Sequence, residues 1–351
     1  MSADVLDAWF PPAPAITATL VRDLSWFLRT SPPTGCEGLI RAIGAARGVA
    51  ADRIVPGAGS SDLIFLAFRH WLRPSSRVLV LDPAYGEYLH MLERIVRCRV
   101  DRLALSKAEH YRMDPDVLAA RFTAGYDLMV LVNPNNPTGQ HIPRDVLEGL
   151  LRAVPEQTRV WLDETYVDYV GPDASLERFA MGRRNITVCK SMSKVYALSG
   201  LRVGYLCAPP AEAEELRALS PPWVVSLPAQ VAAVAALRAS DYYQGRYRQT
   251  HTLRAQLSSA LARIGLEVIP GCANFLLCHL PADGPAATAV CHAARTHGLF
   301  IRDLSELSPA LGSHAVRIAV KDEATNRRMV AILHRVLRGA VLQPGGRANG
   351  R

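Results

Sequence analysis

From about residue 46 to about residue 240 the chain alternates short apolar runs with segments whose apolar residues recur at helical spacing. This alternation constrains the fold more than any other feature. Arg77 to Leu81 (RVLVL), Leu128 to Val132 (LMVLV) and Val160 to Leu162 read as strands. Asp62 to Leu72 brings Leu63, Ile64, Ala67, Phe68, Trp71 and Leu72 onto helical spacing. Strand and helix in turn predict an α/β fold, a mainly parallel sheet flanked by helices.

Beyond Pro228 the pattern changes. A mostly helical stretch from Ala229 to about Ile264, interrupted near Ser240, is long enough to join two bodies. Short strands follow around Leu266 to Ile269, Asn274 to His279, Leu299 to Arg302 and Ala315 to Val320, then a helix opened by Asp322 and Glu323. The division this predicts is an N-terminal arm with part of a small domain (1–45), a large domain (46–240), a connecting helix (241–265) and a small α+β domain (266–342). The Gly-rich, polar tail 343–351 is expected to be disordered.

Apolar residues make up 49% of the 351 residues, enough for a large core. The net charge of +8 is spread along the chain, and no basic run exceeds a pair such as Arg183-Arg184 or Arg327-Arg328. A nucleic-acid binder would gather that charge into a stripe, so small anionic molecules are the expected partners. Seven cysteines (Cys36, Cys98, Cys189, Cys207, Cys272, Cys278, Cys291) without C-x-x-C pairs indicate neither a disulfide framework nor a metal site, and fit a reducing cytoplasm. No window nears the roughly 20 apolar residues of a membrane span, and no export signal opens the chain.

Four segments place polar residues beside an apolar strand or a helix start, and in open α/β sheets such segments converge outside the carboxyl ends of the strands. In PGAGSSDLI (Pro56 to Ile64), Gly57 and Gly59 precede Ser60, Ser61 and a helix, a seat for an anion. Alone, it reads rather as a cap made by Ser60 or Ser61. NPNNPTG (Asn133 to Gly139) follows the strand LMVLV as a tight loop that can point Asn donors at a ligand. WLDETYVDY (Trp161 to Tyr169) ends an apolar strand with Asp163, whose carboxylate needs a cationic partner there, unless it caps a helix begun by Glu164. In CKSMSKVYALSGLRVGYL (Cys189 to Leu206), the Lys194 amine can condense with a carbonyl, and Ser191, Ser193 and Arg202 can bind a phosphate.

Together, in this order, these motifs resemble the fold-type I pyridoxal 5′-phosphate enzymes. The likeness is to class I/II aminotransferases of the histidinol-phosphate aminotransferase and threonine-phosphate decarboxylase branch, and it runs from about Val49 to Leu337. The resemblance implies that Lys194 holds the cofactor and moves the proton, and that Asp163 pairs with the ring nitrogen. It casts Asn136 and Tyr166 as donors to the ring 3′-oxygen and Tyr85, in LDPAYGEY, as the aromatic on the ring face, with Tyr88 an equal candidate by composition. Ser60, Ser61, Ser191, Ser193 and Arg202 look like the phosphate cup. Arg317 resembles the arginine that grips a substrate carboxylate, with Arg302 for a distal anion and Asn274 as a further substrate contact. A homodimer with interfacial active sites is implied as well.

The N-terminal part departs from the pattern. LDAWFPPAP (Leu6 to Pro14) stands where the histidinol-phosphate enzymes carry an N-E-N-P-type stretch, and RTSPPTG (Arg29 to Gly35) where they carry a Tyr-Pro segment. Trp9, Phe10 or Trp26 then line a different pocket or pack in the core. Three functions follow: an aminotransferase acting with a 2-oxo acid on an amino acid or amine that can bear a phosphate or other anionic group; a decarboxylase of a phosphorylated or phosphonate amino acid; and a non-catalytic cofactor-binding protein, against which Lys194 and Asp163 argue.

Overall fold

The computed structural model describes residues 1–341; the tail 343–351, expected to be disordered, lies outside them. Seven strands form the larger sheet: β1 (Ile54–Gly57), β2 (Arg77–Asp82), β3 (Arg99–Ala104), β4 (Leu128–Val132), β5 (Arg159–Asp163), β6 (Ile186–Ser191) and β7 (Gly204–Cys207), in the order β1-β7-β6-β5-β4-β2-β3. From β6 to β3 every pairing is parallel, while β7 runs antiparallel to both β6 and β1. The expected mainly parallel sheet is present, with one reversed strand near its edge.

Strand residues alternate between two cores. Leu79, Leu81, Met129, Leu131, Val160 and Leu162 pack on one face, while Val78, Val80, Leu128, Val130 and Trp161 pack on the other against Leu63, Ile64, Ala67 and Phe68 of the helix Ser60–Trp71. Because both faces are covered, the strands read as unbroken apolar runs.

Four antiparallel strands, β8 (Glu267–Val268), β9 (Phe275–His279), β10 (Arg302–Asp303) and β11 (Ala315–Ala319), form a second sheet in the order β10-β11-β9-β8. The strand expected at Leu299 to Arg302 is broken there. Phe300 makes an isolated bridge with Ser2, and regular pairing with β11 begins only at Arg302. The helical stretch after Pro228 is two helices, Leu227–Arg238 and Ser240–Arg263, meeting at Ala239.

Candidate active site

Parallel pairing brings the carboxyl ends of β4, β5 and β6 to one edge of the sheet. Val132 lies opposite Asp163 and Asp163 opposite Cys189, so the loop after β4, the end of β5 and the segment after β6 are neighbours. The antiparallel β7 adds its first residue at the same level, with Gly204 opposite both Ser191 and Gly57. A Cβ on Gly204 would stand 2.8 Å from the Lys190 carbonyl oxygen and 3.2 Å from Ser60 N. Its bare Cα lets the helix Ser60–Trp71 start directly beside β6.

A cavity of about 310 Å³ opens at this edge. Every cofactor residue expected from the sequence lines it: Ser60, Ser61, Tyr85, Asn136, Asp163, Tyr166, Ser191, Ser193, Lys194 and Arg202. Arg302 and Arg317 line it from the smaller sheet. Asn274 does not. It is fully buried, and its Nδ2 donates to the Leu6 carbonyl at 2.9 Å, so it ties down the N-terminal segment instead of facing a substrate.

Gly59, with φ +89°, caps the helix Ser60–Trp71, and no side chain caps its first amides. The cap reading of Ser60 and Ser61 therefore fails. Ser61 Oγ donates to Glu87 Oε2 at 2.9 Å. A Cβ on Gly59 would lie 2.7 Å from Arg202 Nη2, so glycine is what admits the guanidinium to the helix start. Arg202 Nη1 also donates to the Ser199 carbonyl at 3.1 Å, with Ser193 Oγ at 3.5 Å. Free amides, hydroxyls and a guanidinium at a helix N-terminus suit a phosphate.

Asp163 lies at the cavity floor, 4% exposed. Its Oδ1 accepts from Thr165 N at 2.9 Å and Thr165 Oγ1 at 2.6 Å, and its Oδ2 accepts from Tyr88 Oη at 2.6 Å. Burial pushes its pKa up against these bonds. No helix starts at Glu164. Among the described residues no Lys, Arg or His pairs with Asp163. Tyr88 is wholly buried, so Tyr85 is the tyrosine that faces the cavity.

Lys194 Nζ donates to Asp7 Oδ1 at 2.8 Å, and Lys321 Nζ lies 3.4 Å from the Asp7 carbonyl. The chain's other lysines are Lys107 and Lys190; Lys190 is buried in an ion cluster and Lys107 pairs with Glu267 at the surface. Arg317 Nη1 donates to Asn136 Oδ1 at 2.7 Å and Nη2 to the Asp4 carbonyl at 2.8 Å. Arg302 stands directly opposite Arg317 in the β10–β11 pair. Burial lowers the Arg317 pKa, and the Arg302 charge adds to this.

Sequence reasoning missed the wall made by Asp4, Val5 and Leu6. These residues act largely through backbone carbonyls, which leave no side-chain signature. Trp9 and Phe10 turn away from the cavity: Trp9 Nε1 donates to Thr250 Oγ1, and Phe10 packs on Tyr243 and Tyr247. Trp26 is 43% exposed and lies outside the cavity.

Residues 14–333 match the family model described as aminotransferase class I and II. The chain belongs to that family. A histidinol-phosphate aminotransferase of Rhodopseudomonas palustris (strain BisB18) is 31% identical over 303 residues, covering 85% of this chain and 81% of the relative. Histidinol-phosphate aminotransferase 1 of Cupriavidus pinatubonensis is 32% identical over 299 residues, 85% of this chain and 78% of that one. The fold is shared with histidinol-phosphate aminotransferase from Sinorhizobium meliloti in complex with pyridoxal-5′-phosphate (TM-score 0.86, 23% identity, 96% of this chain and 91% of that one). It is shared too with L-threonine-O-3-phosphate decarboxylase from Porphyromonas gingivalis (TM-score 0.83, 24% identity, 96% and 99%).

As a class I and II aminotransferase the chain is an enzyme whose cofactor is pyridoxal 5′-phosphate, and the donor set fits that molecule. An aldehyde needs an amine, which Lys194 supplies. A phosphate needs the uncapped helix start and Arg202. A protonated ring nitrogen needs a buried carboxylate with no cation of its own, and Asp163 is one.

Proposed function

We propose that this enzyme transfers the amino group of a donor bearing a phosphate or comparable anionic group to a 2-oxo acid. The observation that carries this reading is the pair Arg302 and Arg317, set directly opposite each other on one sheet and both lining the cavity that holds Lys194. Like charges facing across a strand pair destabilise it; Asp4, whose carboxylate acts on both arginines, offsets part of this, and an anionic substrate group between them would offset the rest. The relatives' names, histidinol-phosphate aminotransferase, fit a phosphorylated donor.

In this reading Lys194 would carry the cofactor, Asp163 would pair with its ring nitrogen, Asn136 and Tyr166 would donate to its 3′-oxygen, and Tyr85 would stack on its ring. Ser60, Ser61, Ser191, Ser193 and Arg202 hold its phosphate. Once bound, the cofactor draws electrons from the substrate Cα and weakens the bonds there. Arg317 holds the substrate carboxylate and Arg302 its distal anion, which orients the Cα–H bond toward Lys194 Nζ. Lys194, once the donor's amine has replaced it on the cofactor and left its own amine free, would take that proton, with the Asp7 carboxylate beside it.

The division into arm (1–45), large domain (46–240), connecting helix (241–265) and small domain (266–342) is part of this reading, supported by the two separate sheets. So is a cytoplasmic homodimer. Its support is seven unpaired cysteines and a cluster of exposed apolar residues on one stretch of chain: Val21 (72% exposed), Leu24 (55%), Trp26 (43%) and Leu28 (79%). Among the described residues no helix is long and apolar enough to cross a membrane. Sedimentation is expected to give a dimer that Trp26→Asp with Leu28→Asp converts to monomer.

Borohydride reduction of the loaded protein followed by peptide mapping is expected to fix the cofactor on Lys194. A panel of amino donors with 2-oxoglutarate is expected to yield glutamate fastest from phosphorylated donors, and Lys194→Ala to lose at least about 1,000-fold in turnover. Label on another lysine, or release of CO2 in place of amino transfer, overturns the assignment.

A further inference from the structure

We propose that Tyr88 is a positioning residue for this reaction: its hydroxyl, given a single direction by Trp161, holds the Asp163 carboxylate so that one lone pair stays turned to the cavity. The inference rests on the reading in which Asp163 faces the cofactor ring nitrogen.

Chemistry fixes the direction of the chain of bonds. An indole N–H can only donate, and Trp161 Nε1 donates to Tyr88 Oη at 2.8 Å. The Tyr88 hydroxyl accepts there and turns its own proton to Asp163 Oδ2, 2.6 Å away. Thr165 occupies Oδ1 with two donors. A carboxylate offers about four lone-pair sites, so three donors leave one for a ring N–H. Tyr88 does not line the cavity and is 0% exposed between Phe68, Tyr85 and Trp161. Its hydroxyl therefore reaches the cofactor through Asp163, while its ring backs Tyr85. Burial pushes its phenol well above the ordinary range, which keeps it a donor.

Tyr88→Phe keeps the ring and removes one oxygen. The test compares the affinity of each protein for pyridoxal 5′-phosphate and for its 1-deaza analogue, in which C–H replaces the ring nitrogen. Wild type is expected to prefer the natural cofactor. In Tyr88→Phe that preference falls about tenfold, which is about 1.4 kcal/mol, with affinity for the analogue unchanged. Trp161→Phe, which frees the hydroxyl to turn, lowers the preference in the same direction, and adding it to Tyr88→Phe has no further effect on the ratio. Should Tyr88→Phe not fold, Trp161→Phe decides. A preference unchanged or increased in the folded variants sinks the role of Tyr88 alone. A wild type that binds the cofactor without preferring it to the analogue sinks the Asp163 reading and this proposal with it, and a wild type that binds neither removes the cofactor assignment.

Discussion

Asp163 and the two arginines use charge in opposite ways, and substitutions separate them. Asp163 is a buried carboxylate with no cationic side chain beside it among the described residues, proposed to face the cofactor ring nitrogen. Asp163→Asn keeps the shape and discards the charge, so turnover is expected to fall by about 100-fold or more, as when a preorganised electrostatic group is lost. Arg302, exposed where it lines the cavity, is proposed to hold only the donor's distal anion. Arg302→Ala is expected to raise KM for a phosphorylated donor by about 10- to 100-fold, the value of roughly 1.5–3 kcal/mol for a charged hydrogen bond. Its kcat should stay within a few-fold, and its KM for a donor with a carboxylate alone should hardly move. Steady-state kinetics on paired donors checks both. At this scale the sequence was informative wherever a polar residue ends an apolar strand, as with Asp163, Ser191 and the loop after β4. It could not choose between Tyr85 and Tyr88, because composition does not tell which of two tyrosines in one segment faces a cavity.

Behind the site, β6 and the loops around it are tied by buried charge. Lys190 Nζ lies 3.3 Å from Glu164 Oε2, 3.4 Å from Asp168 Oδ2 and 3.8 Å from Glu177 Oε2, and Arg47 pairs with Asp168 at 2.9 Å. This explains Glu164, which in the sequence resembles the start of a helix. Lys190→Met leaves its carboxylate partners short of a countercharge and is expected to cost about 3–5 kcal/mol, read by denaturant unfolding. Burial alone would raise the Asp168 pKa, but the charges of Arg47 and Lys190 bring it well below the usual carboxylate range. As pH falls through about 4, the unfolded chain takes up the proton first, so this stabilisation is complete above that pH and is lost progressively below it. Asp168→Asn should flatten that acid limb. β4, a continuous apolar run, was readable to the residue, and β2 and β5 to within one residue at each end. The pairing of β7 was not, since the direction of a short buried strand depends on partners far away in sequence.

For the molecule as a whole, one of the ties between the larger and smaller parts joins Tyr111, in the loop after β3, to His279 of β9. The tyrosine hydroxyl and His279 Nε2 are 2.9 Å apart, and their rings stack at 5.9 Å. Burial holds the His279 pKa down to about 4 from 6.5. Between those values the unfolded chain binds a proton that the folded one refuses, so stability contributed here is present above pH 6.5 and declines as pH falls toward 4. Thermal melts across that window should show the decline in wild type and a shallower one in His279→Gln. The second, smaller sheet could be read from the short strands expected after Pro228. The tie could not, because Tyr111 and His279 are 168 residues apart in sequence.

Lysine is scarce here, with Lys107 on the surface and Lys190, Lys194 and Lys321 at or behind the cavity. Among the lysines, amine-reactive dyes thus meet one outlying side chain, so lysine labelling of the loaded enzyme should fall first on Lys107.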